Sequence, residues 1–190
     1  MASADRPEAH LALGAFYSDR KQMDAAEAAY RTALRLDPSF VPGMVNLADF
    51  YRAQNRDVEA EPLLRQAVMA ESNNAGAHHA LGLLLVRMRR LDEAMAELRQ
   101  AAELAPDNAR YAYVYAVALN TAGQSAEALR VLRFDNQMHP SDLDVLIALV
   151  TISRDTGDLA AARSYAEELV RVAPGNAQAR ALYQSFGLAP

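Results

Sequence analysis

The chain has no cysteine and no tryptophan, and its 190 residues include only eight glycines and eight prolines. Without cysteine the sequence holds no disulfide, no thiolate metal site, no thiol nucleophile and no Cys-x-x-Cys-His haem attachment. A cysteine-free chain fits the cytoplasm or, for a fragment of a secreted parent, the periplasm. The N-terminal "MASADRPEAH" has neither the basic start nor the apolar stretch of a secretory signal. No apolar run is long enough to span a bilayer, so membrane insertion is not expected. The formal net charge is −5 with both signs interspersed. No basic stretch would follow a phosphate backbone, and nucleic acid is not an expected partner.

Catalytic signatures are missing as well. There is no Gly-rich phosphate loop, no G-x-S-x-G and no H-E-x-x-H. With no nucleophile or acid–base pair in view, the chain reads as a non-enzyme. Its four histidines are His10, His78, His79 and His139. The adjacent His78 and His79 would point about 100° apart on a helix and could not share a ligand. No metal site and no cofactor are therefore expected.

What is present is a period. Prolines recur after helix-like segments at Pro38, Pro106, Pro140 and Pro174, in a frame of 34 residues. Two residues past each frame mark stand Phe40, Asn74, Asn108, Asp142 and Asn176. Asn or Asp there suits a helix N-cap, whose side-chain oxygen takes an orphan N–H of the next helix. Alanine holds one column throughout, at Ala26, Ala60, Ala94, Ala128 and Ala162. Small residues recur at Gly14, Ala48, Gly82 and Ala116, with Val150 the exception. Large apolar residues recur at Leu13, Leu47, Leu81, Tyr115 and Leu149, a core column. Five units run without a gap.

Leu13, Gly14, Tyr17, Ala26, Tyr30, Ala33 and Pro38 together follow L-G-x2-Y, A-x3-[YFL], P. A repeat with this signature resembles the tetratricopeptide repeat. The resemblance implies an all-α fold: a right-handed α-solenoid of five helix pairs plus a C-terminal capping helix. The units would be 7–40, 41–74, 75–108, 109–142 and 143–176, with the cap at 177–187, in a single domain over 1–190. The stretches "AHHALGLLLVR" and "NARYAYVYAVAL" are also similar to tetratricopeptide segments of bacterial multihaem c-type cytochrome proteins. That likeness implies a docking or assembly segment, with the haems elsewhere in the parent.

The family binds ligands on its concave face. Projecting the first helices onto that face selects Asn46, Asp49, Arg52, His79, Leu83, Arg110, Tyr113, Val117, Asn120, Ile147 and Arg154. The first of these form a mixed polar surface. Leu83, Val117 and Ile147 would make an apolar floor, with Tyr113 and His79 above it. The expected function is a protein-interaction scaffold that holds a peptide or helix of a protein partner. The alternatives are a small-ligand-binding module or a structural module of a larger bacterial protein that self-associates through the solenoid ends. Co-chaperone members clamp a C-terminal carboxylate with five polar side chains. Here only Asn46 matches, against Leu11, Ala15, Gly76 and Ala80, so that subtype is not expected.

Four local expectations follow from the frame. "RYAYVYAVAL" (110–119) alternates like a strand, but the frame makes it a first helix with Tyr115 in the core, Tyr111 toward its neighbour and Tyr113 on the binding face. Charges on the second helices should be solvated. Pro62 should kink its helix or delay its start. Asp135 stands where other units have Ala33, Ala67, Ala101 and Leu169. It should be a partly buried carboxylate held by a donor such as Tyr115 or a backbone N–H of the fifth unit, the alternative being that "FDNQMHP" ends its helix early and leaves Asp135 in water.

Overall fold

The computed structural model describes residues 6–187. Those residues form eleven α-helices and no strand. The first helices of the pairs are α1 (Pro7–Asp19), α3 (Val41–Ala53), α5 (Ala75–Arg87), α7 (Ala109–Thr121) and α9 (Leu143–Asp155). Their second helices are α2 (Met23–Leu36), α4 (Asp57–Ala70), α6 (Leu91–Leu104), α8 (Ser125–Met138) and α10 (Leu159–Val172). A lone α11 (Ala177–Gln184) follows. Every helix of a kind begins 34 residues after the last, as the sequence frame requires.

Three of the five residues in the cap column act as caps, Phe40 and Asn108 being the departures. Asn74 accepts from the Ala77 N–H, Asp142 from Val145, and Asn176 from Gln178 and Ala179. Asn108 occupies the same column but makes no side-chain cap bond. Between the two helices of each pair one residue turns left-handed: Lys21, Asn55, Arg89, Gly123 and Gly157. At each, paired backbone bonds close the helix end. Arg89 N–H donates to Val86 O at 3.0 Å and Arg90 N–H to Leu85 O at 2.9 Å. This is the Schellman pattern, which satisfies carbonyls that a helix end leaves orphaned. Glycine serves it without strain in two pairs, whereas three pairs use a side chain there.

The chain divides into two compact units, one ending at Leu104 and the other beginning at Ala105. In the first, α1 to α6 close over Tyr30, Leu47, Phe50, Tyr51, Leu64, Leu81, Leu84 and Leu85. The helices approach closely where the small column lies. A Cβ on Gly82 would sit 2.6 Å from Leu98, and one on Gly14 would sit 2.5 Å from the Tyr30 ring. In the second unit, Leu146, Leu169 and Ala179 join α9, α10 and α11 into one core. The invariant alanine column is fully buried in both units.

Residues 110–119 are helical and Tyr115 is buried, while Tyr111 and Tyr113 are half-buried. The core column has one departure. Leu13 is 38% exposed, although its counterparts Leu47, Leu81, Tyr115 and Leu149 are buried. Leu47 is covered by the helix pair before it, whereas α1 is the first helix among the described residues.

Two local expectations are corrected in part, the late start of the Pro62 helix and the donor to Asp135. The helix α4 starts at Asp57, in frame, and runs unbroken through Pro62. Pro62 denies a hydrogen bond to the Val58 carbonyl one turn back. Val58 and Pro62 are both exposed, so water can take over that carbonyl and the helix need not start later. Asp135 is buried as expected, at 2% exposure, and α8 continues past it to Met138. Its donor, however, is His139, whose Nδ1 lies 3.0 Å from Asp135 Oδ1. Its other oxygen, Oδ2, is buried with no hydrogen-bond partner.

Candidate functional site

On α3, Asn46 is exposed and spends its side-chain amide on its own helix, donating to the Pro42 carbonyl at 2.8 Å. One turn on, Arg52 donates to Asp49 at 2.8 Å. These two and Ala53 line a depression of about 450 Å³ together with Leu83 and Arg87 of α5. The structure thus brings three of the projected residues of the first unit together: Asp49, Arg52 and Leu83. It adds Arg87, which the projection omitted. Arg87 closes α5 and reaches back to α4, donating to Asp57 at 2.7 Å and to Asn55. Its position in the last turn of a first helix, beside Val86, was the only signal of it in the sequence.

His79 does not stand on this surface. It is 9% exposed and belongs to the interior, as His78 does. Its column explains this, since in this unit it lies between the core residues His78 and Ala80 on a helix buried along most of its girth. His78 is held from two sides, its Nδ1 2.6 Å from Glu97 Oε2 and its Nε2 3.0 Å from the Ser72 carbonyl oxygen.

In the second unit, Arg110 and Val117 are exposed on α7, and Tyr113 is half-buried one turn before Val117. Asn120 accepts from the Ser125 hydroxyl at 2.7 Å, which ties α7 to α8 and uses part of its polar capacity. On α9, Ile147 is half-buried against the Leu146, Leu169 and Ala179 core, and exposed Arg154 donates to neighbouring Asp155 at 3.0 Å. Tyr113 and Val117 therefore share one helix stripe, and Ile147 divides its side chain between core and surface.

The charges on the second helices are not simply solvated. In the first unit they build a ladder that repeats in frame. Glu27 takes Arg56 at 2.6 Å, Arg31 at 2.7 Å and the Tyr51 hydroxyl at 3.1 Å. Arg56 also donates to Glu59 at 2.7 Å and lies 4.2 Å over the Tyr51 ring. One period later Glu61 takes Arg90 at 2.6 Å and Arg65 at 2.8 Å, while Arg90 and Arg65 share Glu93. The Arg56 guanidinium, with Tyr51 and Arg31, holds the Glu27 carboxyl below its ordinary range. Burial pulls the Glu61 carboxyl upward, but Arg90 and Arg65 together outweigh it, and the net shift is down. The bond to Arg90 lowers Glu93, and the bond to Arg56 lowers Glu59. This ladder fixes neighbouring pairs to each other and offers no unpaired charge to a ligand.

Among the described residues there is no cluster of three or more His, Asp or Glu side chains arranged for a metal. No described helix is long and apolar enough to cross a membrane. In each unit the projected residues outside the interior are polar or apolar side chains of first helices.

A repeating helix pair with these columns, caps and turns is a helical-repeat scaffold. A model of the tetratricopeptide repeat matches residues 18–84 and again 51–118, and the chain belongs to the tetratricopeptide repeat family. It is 33% identical over 162 residues, 84% of its length, to Cellulose synthase 2 operon protein C of Komagataeibacter xylinus. It is 32% identical over 103 residues, 54% of its length, to Protein bimA of Emericella nidulans. It spans only 12% and 13% of those two proteins. The crystal structure of YrrB, described as a TPR protein with an unusual peptide-binding site, superposes with a TM-score of 0.72 at 19% identity. That match covers 94% of this chain and 92% of YrrB, and it establishes the shared fold. Proteins of this fold generally mediate protein–protein interaction and are generally non-catalytic.

Proposed function

We propose that this chain is a non-catalytic interaction module that takes a peptide or helix of a protein partner on its first-helix faces. The depression lined by Asp49, Arg52, Leu83 and Arg87 supports this reading most directly. It pairs a half-buried leucine with two guanidinium groups on rigid helices, the mix of apolar anchor and polar rim that peptide grooves use. Tyr113 and Val117 offer a second contact stripe on α7. Both surfaces are carried by helix residues rather than loops, so little ordering cost attends binding.

The test begins with peptides selected from a displayed library on the purified chain and measured by titration calorimetry. Tyr113→Ala should weaken binding by about 2 kcal/mol, the scale of a tyrosine hot spot, while melting stays nearly unchanged. Arg52→Ala should weaken peptides that bind the depression of the first unit. A collapse of melting in Tyr113→Ala would make that tyrosine core. Unchanged affinity in both variants would remove the first-helix faces from the reading.

A further inference from the structure

The depression of the first unit is cationic where the repeat does not require it. Arg52 and Arg87 stand 35 residues apart, in two columns that close the first helices. Other pairs at this spacing in the same columns are Ser18 and Ala53, Val86 and Thr121, and Asn120 and Asp155. None of the three holds a cation, so packing of helix pairs does not call for two guanidiniums here. Each guanidinium is held from one side. Arg52 donates through Nη2 to Asp49 at 2.8 Å, and Arg87 donates through Nε to Asp57 at 2.7 Å and through Nη2 to Asn55. These bonds leave Nη1 of both without a partner among the described residues. With side chains 29% and 42% exposed, both groups are open to a ligand. A guanidinium fixed along one edge presents its remaining N–H groups as a rigid fork. Leu83, half-buried, lies one turn before Arg87 on the same helix stripe. Ala53 holds the Arg87 column in the preceding pair, and its small side chain leaves the hollow between them open.

We propose that this depression reads an acidic side chain of the partner peptide, Asp or Glu, next to an apolar side chain that lies on Leu83. The proposal rests on the peptide-binding reading and gives that site its ligand chemistry. Two cations and one carboxylate line the hollow, so one added carboxylate balances them. A carboxylate also brings two acceptor oxygens to the two free Nη1 groups, the pairing by which arginine clusters recognise acidic motifs. The acid belongs to a side chain rather than to the partner's C-terminus. The positions at which co-chaperone relatives clamp a terminal carboxylate hold Leu11, Ala15, Gly76 and Ala80 here. Asp49 then has two effects. It orients Arg52, and as a like charge on the same lining it opposes the incoming carboxylate. Asp49 is thus an internal competitor that keeps the recognition weak.

The test selects peptides from a displayed random library on the full chain and on Arg52→Gln. Wild-type selections should be enriched in Asp or Glu beside Leu, Ile or Phe, and the enrichment should vanish on the variant. A selected acidic peptide is then synthesised with an amidated C-terminus, together with its neutral Gln or Asn counterpart, and both are titrated by calorimetry. The neutral peptide should bind wild type about tenfold more weakly, the scale of a hydrogen bond to a charged group. Arg52→Gln should weaken the acidic peptide by the same factor and leave the neutral one unchanged. Asp49→Asn should tighten the acidic peptide about threefold and not the neutral one. Arg52 bonds only to Asp49, so its variant should melt as wild type does; should it unfold, the Asp49→Asn comparison still decides. Acidic peptides indifferent to Arg52→Gln, a loss of affinity in Asp49→Asn, or a loss on amidation would each overturn the proposal. Peptides that bind the first-helix faces through apolar side chains alone would overturn it while leaving the peptide-binding reading in place. A library that yields no binder at all would overturn both.

Discussion

Asp135 and His139 face each other across one turn at the end of α8, with the imidazole Nδ1 3.0 Å from one oxygen of a carboxylate that is 2% exposed. The second carboxylate oxygen is buried without a hydrogen bond. Burial pushes the Asp135 carboxyl above its ordinary range, further raised by nearby Asp142 and only partly opposed by His139. The folded state therefore bears a cost whenever this group is ionised.

Asp135→Ala places at this position the residue that Ala33, Ala67 and Ala101 hold, fully buried, in three other pairs. At pH 7 it should stabilise the protein by about 1 kcal/mol, because it removes a half-satisfied buried charge. The sign with pH follows from the raised folded pKa. Between the unfolded and folded values the native state binds more protons, so wild-type stability gains as pH falls through that window. The advantage of Asp135→Ala should narrow from pH 7 toward about pH 4. Urea melts of both proteins across that range check it; a variant less stable at pH 7 would make the His139 bond a net stabiliser.

The ladder on the second helices titrates the other way. Arg56 above all depresses the Glu27 carboxyl, so its stabilising bonds are complete above the unfolded value near 4.5 and are lost as pH falls through the folded one. Glu27→Gln should cost about 1 kcal/mol at pH 7, since the Glu27 and Arg56 side chains are only 22% and 29% exposed. That cost should shrink as the pH is taken below 4.5, and with added salt. The exposed pair of Glu127 and Arg130 supplies the contrast: Glu127→Gln should leave the melt within experimental error. Equal effects from the two substitutions would deny the ladder any structural weight.

The columns explain which of these features a reader of the sequence can see. Helix starts, the buried alanine column and the core place of Tyr115 follow from a period that packing must respect, so they are legible residue by residue. The ladder is equally periodic, at Glu27 and Glu61 and at Arg56 and Arg90, but it joins side chains of different pairs, and a single-helix projection reads such residues as solvated. His79 fails for a related reason. A projection assigns one face to each helix, whereas α5 is buried on most of its sides. For Pro62 the period outweighs the residue: α4 starts in frame at Asp57, and the delayed start that the proline alone suggests does not occur. The exposure of Leu13, on the first described helix, lies outside any column argument, since a column says what a residue is built to touch and not which described element touches it.

The left-handed turn residue gives the last prediction. Arg89 sits at φ 61, in the position that Gly123 and Gly157 hold in later pairs. A side chain in that region costs roughly 1 kcal/mol through the crowding of Cβ against the following carbonyl. Arg89 is exposed, so nothing buried depends on it. The two backbone bonds that close α5 come from the N–H groups of residues 89 and 90 and survive any substitution except proline. Arg89→Gly relieves the strain and adds freedom to the unfolded chain, two opposing effects of which the strain is the larger. The variant should gain about 0.5 kcal/mol or more in stability, and Gly123→Ala, made in the reverse sense at φ 79, should lose about 1 kcal/mol although no atom lies within 4 Å of the added methyl group. Thermal melts of the pair decide the matter: opposite signs place the cost in the backbone, and a loss in both would show that Arg89 holds a favourable contact of its own.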